Sequence, residues 1–419
     1  MEHNWNSLRI NEKRFRADFE ALSEIGKSGQ TGVNRPALSE AHLAARAWLR
    51  RQIEQAGLEF RQDGAGNHSA VLGCGPDGAP TLLMGSHLDS VPTGGRFDGA
   101  LGVLAALEVL RTVHEAGLRL PLDLEAIDFT DEEGTLVSFL GSYAFAGLLK
   151  PEGLSNPRGN PQALQDGLLR AGLSQTGILS ARRDPKNLAG YLELHIEQGS
   201  RLSDAGCPIG VVTKISGISF YRLIFKGRAD HAGSIPMEKR LDAALGASAL
   251  ILSLRELILT TFPECFANVG SAYFEPGSFN IVPEKVTLSL EFRAAALSRF
   301  NQLREAVLQL AEKEARRFGL GFEIEFIGER VPVETSRVAQ AAIREAAGQL
   351  GLRTVDLVSY AGHDAQPIAS LCSTGMIFVP SVNGTSHSPE ELTHWPDCVN
   401  GANVLLQTAL LICHSERGL

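Results

Sequence analysis

Residues 81–116 read TLLMGSHLDSVPTGGRFDGALGVLAALEVLRTVHEA. The run Thr81–Gly85 has the length and apolarity of a buried strand. A polar, glycine-rich turn follows. From Gly99 to Ala116, Leu101, Leu104, Ala105, Leu107 and Val109 recur so as to make a helix apolar over a broad face. The stretch is one strand–turn–helix unit. Outward from it, Leu122–Phe129, Tyr191–Leu194 and Gly375–Pro380 repeat the apolar strand pattern, and Ala41–Ala56 is an amphipathic helix. Strands apolar on both faces and separated by helices predict an α/β domain, with a mostly parallel mixed sheet flanked by helices.

Between these segments the rhythm changes. Phe220–Lys226 alternates like a half-buried strand, Leu241–Ile258 is helical, Phe266–Phe274 and Lys285–Arg293 are strands, Leu297–Phe318 is a helix and Gly321–Ile327 a strand. The order βαββαβ predicts a ferredoxin-like α+β insertion. The expected division is residues 1–214 and 330–419 for the two parts of the α/β domain, with 215–329 inserted. Lys150–Leu188, rich in Pro, Gly, Asn and Gln, reads as a surface excursion with one short helix near Gln162–Arg170.

The 419 residues carry 39 Lys plus Arg against 48 Asp plus Glu, a net charge of −9. No basic excess exists to neutralise phosphates, which argues against a nucleic-acid or anionic-membrane partner. The six cysteines are scattered without paired spacing, the N-terminus is polar, and no apolar run is read as approaching the roughly 20 residues of a membrane span. The expectation is a soluble cytoplasmic protein.

Chemistry concentrates where the α/β strands end. Ser86-His87-Leu88-Asp89 follows the first, Thr130-Asp131-Glu132-Glu133-Gly134 the second, His195 and Glu197-Gln198-Gly199 the third, and Asn383-Gly384-Thr385-Ser386-His387-Ser388 the fourth. Asp98 sits in the turn before the Gly99 helix. In an open α/β sheet, ligands bind outside the carboxyl ends of the strands, so these groups should converge. Any one histidine or Glu-Glu pair is better read as solvated surface, but four strand ends decorated this way are not. Three imidazoles with two or three carboxylates suit two divalent ions, which polarise a carbonyl and activate water. Asp89 is placed to hold the second nitrogen of His87. The side chains of the neighbours Glu132 and Glu133 should diverge, one ligating and one free as general base.

The motifs GSHLDSVPTGGRFDGALGVLAALEVLR, DFTDEEGT, ELHIEQG, GRADHAGSIPM, FNIVPE, SYAGHDA and NGTSHSPEE run in order from about residue 80 to 390. They resemble the hydantoinase/carbamoylase branch of the aminoacylase- and carboxypeptidase-like metallohydrolases. That branch contains N-carbamoyl-L-amino acid hydrolases, β-ureidopropionases and allantoate amidohydrolases. The resemblance implies two divalent ions per subunit (zinc, or manganese, cobalt or nickel). His87 and His195 are then the terminal ligands of one, Glu133 and His387 those of the other, with Asp98 bridging. It makes Glu132 the general base, Gln198 a substrate contact, and His231 an oxyanion donor that reaches the partner subunit's site. Asn280 and Arg293 become the grip on a substrate carboxylate, and the insertion becomes a lid and homodimerisation domain. Unlike the family pattern, Tyr360 stands where a glycine is usual and Ser200-Arg201 where a proline is frequent. The Arg-Phe pair that relatives often carry soon after Glu133 is missing. Tyr360 lies near the expected substrate loop and bears on the particular substrate rather than the reaction.

The implied activity is hydrolysis of the carbamoyl C–N bond of N-carbamoyl-L-amino acids, with allantoate or a β-ureido acid next. An N-acyl-amino acid hydrolase or peptidase is the third reading. A catalytically dead scaffold would lack Glu132 or a ligand, and the sequence keeps them all.

Overall fold

The computed structural model describes residues 5–158 and 160–415. In chain order the principal elements are α1 (Glu12–Ser23), α2 (Glu40–Gln55), β1 (Glu59–Gln62), β2 (His68–Leu72), β3 (Thr81–His87), α3 (Ala100–Glu115), β4 (Asp123–Phe129), β5 (Leu188–Ile196) and β6 (Ile209–Ile215). Then come β7 (Gly217–Lys226), α4 (Ala243–Thr261), β8 (Phe266–Glu275), β9 (Lys285–Ala294), α5 (Leu297–Arg317) and β10 (Gly321–Arg330). The chain closes with α6 (Arg337–Gln349), β11 (Thr374–Val379) and α7 (Trp395–His414).

Two compact units emerge. The larger holds Met1–Thr213, Thr335–Leu357 and His363–Leu419; the smaller holds Lys214–Glu334 and Val358–Gly362. The short segment Val358–Gly362 thus packs with the smaller unit, although the sequence reading leaves it with the second part of the α/β domain.

The larger unit is built on a mixed sheet whose main path runs β6-β11-β5-β3-β4-β2-β1. Its middle strands β11, β5, β3 and β4 are parallel, and the flanking strands run antiparallel. Every residue of β3 and all but Ala189 of β5 are buried, as expected for a strand covered on both faces. α3 is apolar enough that Ala100 to Val113 are all buried, and it packs with α7 and α6 in one core with β3 and β5. Glu108 and Arg111 on α3 are tolerated because α1 meets them: Arg14 donates to Glu108 at 2.8 Å and Arg111 pairs with Asp18.

The smaller unit is a four-stranded antiparallel sheet ordered β8-β9-β7-β10 with α4 and α5 packed on it, the ferredoxin-like arrangement. Two readings need correction here. Residues 150–188 are not a single-helix excursion: Pro151–Ser155, Pro161–Ala171 and Gln175–Leu179 are all helical, and Leu154, Leu164, Leu168 and Ile178 bury against Leu38, Leu136 and Leu140. The Pro and Asn residues mark helix starts instead of breaking structure. Secondly, α4 is by length and composition apolar enough to cross a membrane, with a mean hydropathy of 1.6. Its inner face, Ala247, Leu250 and Leu254, packs on the sheet, while Leu252 and Leu259 are exposed. All six cysteines are free.

Candidate functional site

The parallel register brings the strand ends of the larger unit to one edge. His87 ends β3, level with Phe129 at the end of β4, and His195 lies in β5 level with Phe378 in β11. Gly99 starts α3 at φ +65°, and a Cβ there would come within 2.4 Å of the His87 ring. Only glycine lets the helix start come so close to the imidazole.

Asp98 is the centre of what converges. Its Oδ1 lies 3.4 Å from His87 Nε2 and 3.1 Å from His195 Nε2, and its Oδ2 lies 3.5 Å from His387 Nε2. The Glu133 carboxylate is 3.4 Å from the same His387 nitrogen. Two groups result, His87–Asp98–His195 and Asp98–Glu133–His387, each with its ligand atoms within 4.8 Å of one another. Ligands about 2.1 Å from a tetrahedral zinc ion lie about 3.4 Å apart, so the separations fit a cation in each group.

The imidazole tautomers agree with this. His87 Nδ1 is 3.0 Å from the Asp89 carbonyl and His195 Nδ1 is 2.9 Å from the Ile196 carbonyl. Each Nδ1 therefore carries a proton, and Nε2 is the atom that each ring turns to Asp98. The expected role of Asp89 needs refining. Its carbonyl, not its carboxylate, takes the His87 proton, and its carboxylate oxygens accept from Glu132 N (3.3 Å) and Glu133 N (3.2 Å). Asp89 thereby orients the loop of both glutamates. Asp131, held at φ +57°, finishes that loop by accepting from the Thr135 and Leu136 amides.

The neighbouring glutamates diverge. Glu133 turns to His387, whereas Glu132 stays 3.6 Å from His87 Nε2 and outside both ligand groups. Burial pushes the Glu132 carboxyl well up, with Asp364, Glu133 and Asp98 adding to it, although His87 opposes the shift. Burial likewise raises Glu133. For Asp98, burial is outweighed by His195 and His87, which hold its carboxyl well below the usual range. So many buried acids side by side call for positive charge, which divalent cations supply.

Gln198, also at positive φ (57°), gives its amide N–H to Asp98 Oδ2 at 2.7 Å, while its Oε1 is buried with no partner among the described residues. In the smaller unit, Ala232 N donates to Asn280 O, which joins the His231 loop to Asn280. His231 Nδ1 accepts from Gly233 N at 3.1 Å, so Nε2–H is its donor. Arg293 is far from that pair. Lys285 in β9 pairs with Lys226, next to the His231 and Asn280 loops, while Arg293 pairs with Ile218 at the other end. Eight residues of strand span about 26 Å. Within one chain, Asn280 and Arg293 therefore do not form the expected joint grip. Arg293 is pre-oriented by Glu291 (2.9 Å) and the Tyr360 carbonyl (2.6 Å), and the Tyr360 hydroxyl is tied to the Glu264 carbonyl at 3.1 Å.

Sequence reasoning missed His363, whose ring stacks edge-on against His195 at 4.6 Å, and Glu193, which accepts from Ser86 Oγ and Ala365 N behind the site. It also missed Ser386 and Glu391, which flank Asp98. Ser386 and Glu391 lie in the quoted NGTSHSPEE motif, and a charged residue four positions after a ligand was the available signal.

An α/β sheet edge with two metal-binding groups sharing one aspartate is the site of a metallohydrolase, and the family profile agrees: residues 83–411 match peptidase family M20/M25/M40, and the chain belongs to that family. Within it, the chain falls in the hydantoinase/carbamoylase branch. It is 37% identical over 398 residues to an N-carbamoyl-L-amino acid amidohydrolase of Geobacillus stearothermophilus, covering 94% of this chain and 97% of that one. It is 30% identical to a ureidoglycolate hydrolase of Arabidopsis thaliana, covering 96% and 87%. A hydantoinase/carbamoylase family amidase from Burkholderia multivorans superposes with a TM-score of 0.85 at 34% identity, covering 97% and 98%.

Proposed function

We propose that this amidohydrolase cleaves the carbamoyl C–N bond of N-carbamoyl-L-amino acids, giving the amino acid, ammonia and carbon dioxide. The observation that carries the reading is Asp98 set between two ligand groups with Glu132 left free beside them. Two divalent cations, zinc or else manganese, cobalt or nickel, held by His87, His195, Asp98, Glu133 and His387 would polarise the ureido carbonyl and acidify water.

The chain's own residues do the rest. Glu132, its carboxyl raised well above the usual carboxylate range by burial, takes a proton from water as the oxygen bonds to the ureido carbon. It returns that proton to the amino-acid nitrogen as the C–N bond breaks, and the released carbamate decomposes to ammonia and carbon dioxide. The unpartnered Gln198 Oε1 suits a ureido N–H, a donor that an ester lacks. His231 Nε2–H donates to the developing oxyanion. Glu291 and Tyr360 occupy three of the five Arg293 N–H groups, which leaves two for a substrate carboxylate.

Because His231 and Asn280 stand at the opposite end of β9 from Arg293, we assign them to the partner's site in a homodimer. The exposed face of α4, with Leu252 and Leu259, supports dimerisation through the smaller unit. The reduced cysteines support a cytoplasmic setting. The Arabidopsis relative favours a second reading, allantoate or a related ureido acid.

Ammonia release from N-carbamoyl-L-amino acids, allantoate and β-ureidopropionate, set beside amino-acid release from N-acetyl-L-amino acids, separates these readings when each is assayed before chelation, after it and on metal restoration. N-carbamoyl substrates should be fastest and activity should vanish on chelation. Faster amino-acid release from the N-acetyl series would replace the reading with an acylase. Glu132→Gln should lose about 10²–10⁴-fold in kcat while keeping its metal content; near-wild-type turnover would remove Glu132 as the base.

A further inference from the structure

The aspartate shared by the two cation groups sits in the turn Gly94–Gly99, whose Phe97 is buried against Phe19. One carboxylate holds that turn from below. Glu391 is 3% exposed, and its Oε1 accepts from both Phe97 N (2.9 Å) and Asp98 N (3.0 Å). The approach exists because residue 95 is glycine: a Cβ there would lie 2.2 Å from the Glu391 carboxylate. The other oxygen, Oε2, lies 3.0 Å from Ser386 Oγ, and that hydroxyl is also 3.0 Å from Asp98 Oδ2. Ser386 has one proton to give, so the two carboxylates share it.

Glu391 follows His387 by four residues, and its own amide closes a turn onto the Ser388 carbonyl at 3.0 Å. One side chain therefore ties together two loops 293 positions apart, one carrying Asp98 and the other carrying His387. Both are members of the same candidate cation group.

We propose that Glu391 is a positioning residue for the cation sites. By fixing the Phe97–Asp98 peptide and orienting Ser386, it sets the Asp98 carboxylate across both groups. It thereby sets cation affinity, above all at Asp98–Glu133–His387, which is the more exposed group. Outer partners of metal ligands typically govern affinity by 10–100-fold. The proposal rests on the reading that Asp98 is shared by two cations.

The test uses the full-length protein stripped by chelation and titrated with zinc ion against a chromophoric competitor, comparing wild type with Glu391→Ala, Glu391→Gln, Ser386→Ala and Asp98→Asn. Glu391→Gln keeps one oxygen for the two amides, so it controls for a fold that fails when those amides lose their acceptor. We expect two equivalents bound by wild type. In Glu391→Ala one of them should be weakened by about 10–100-fold, with smaller losses of the same equivalent in Glu391→Gln and Ser386→Ala. In zinc-saturated Glu391→Gln, KM for an N-carbamoyl-L-amino acid should match wild type and kcat should recover. Wild-type zinc affinity in both Glu391 variants overturns the proposal. So does a Glu391→Ala defect that tracks a lowered apo melting temperature while Glu391→Gln binds zinc normally, since that marks a purely structural role. Unchanged zinc binding in Asp98→Asn overturns instead the reading of Asp98 as a shared ligand.

Discussion

His68 shows how a residue outside the site feels its neighbours. Its ring is edge-on to Phe60 at 5.0 Å, and burial, with Arg46 and Arg50 adding to it, pushes its pKa down to about 2 from 6.5. In the unfolded chain the same imidazole takes up a proton near pH 6.5. Below that pH the unfolded state binds more protons than the folded one, so stability falls as pH drops from 6.5 toward 2. The loss is at most about 1.4 kcal/mol per pH unit. Urea denaturation should give a lower midpoint at pH 5.5 than at pH 7.5, and His68→Gln should narrow that gap. A gap of equal size in the variant would assign the pH dependence to other groups, His42 first, since burial holds that imidazole neutral as well. The sequence sets His87 apart by its strand-end motif, but nothing in it shows that His68 is held neutral by burial. Only the three-dimensional surroundings show that.

At the scale of elements, the site depends on a buried ion pair that the sequence does not advertise. Arg46 on α2 bonds Asp128 near the end of β4 at 2.7 Å, and both side chains are at most 2% exposed. The other Asp128 oxygen accepts Leu88 N at 2.8 Å, while Arg35 grips Leu88 O at 2.6 Å. The backbone between His87 and Asp89 is thus held on both its donor and its acceptor. Asp128→Asn should cost about 3–5 kcal/mol, because Arg46 is left buried and unpaired. Arg46→Met with Asp128→Leu should recover much of that loss, as judged by denaturant midpoints. A neutral effect of the single change would show that the pair does not bear on the loop. The elements themselves were largely readable. The strands β3, β4, β5 and β11 and the helix α3 lie within a few residues of their sequence expectation, because long apolar runs leave the chain little choice. Of the short helices in 150–188, the one near Gln162–Arg170 was readable and lies at Pro161–Ala171, whereas Pro151–Ser155 and Gln175–Leu179 were not. Their apolar positions are few, and they find their core only against Leu38 and Leu136 from elsewhere in the chain.

For the whole molecule, the separation of His231 and Asn280 from Arg293 along β9 has a direct consequence. If one active site draws Arg293 from one subunit and Asn280 from the other, Asn280→Ala and Arg293→Ala should each lose activity as pure homodimers. Mixing the two inactive variants and allowing subunits to exchange should restore activity, up to about half the sites in each mixed dimer, since one site then receives both wild-type groups. No recovery after exchange verified by mass would place both residues in one subunit's site.

The amino-acid sequence alone determined the α/β and ferredoxin-like patterns, the branch of metallohydrolases, and which imidazoles and carboxylates cluster. These are properties of periodicity and of motifs that stay within a few residues of a strand end. Tertiary structure alone decided that the Asp89 carbonyl sets the His87 tautomer, that Glu391 and Ser386 brace Asp98, and that Asn280 and Arg293 lie apart. The bracing of Asp98 joins segments hundreds of residues apart, and even the nearer contacts depend on a packed backbone geometry that local pattern does not set.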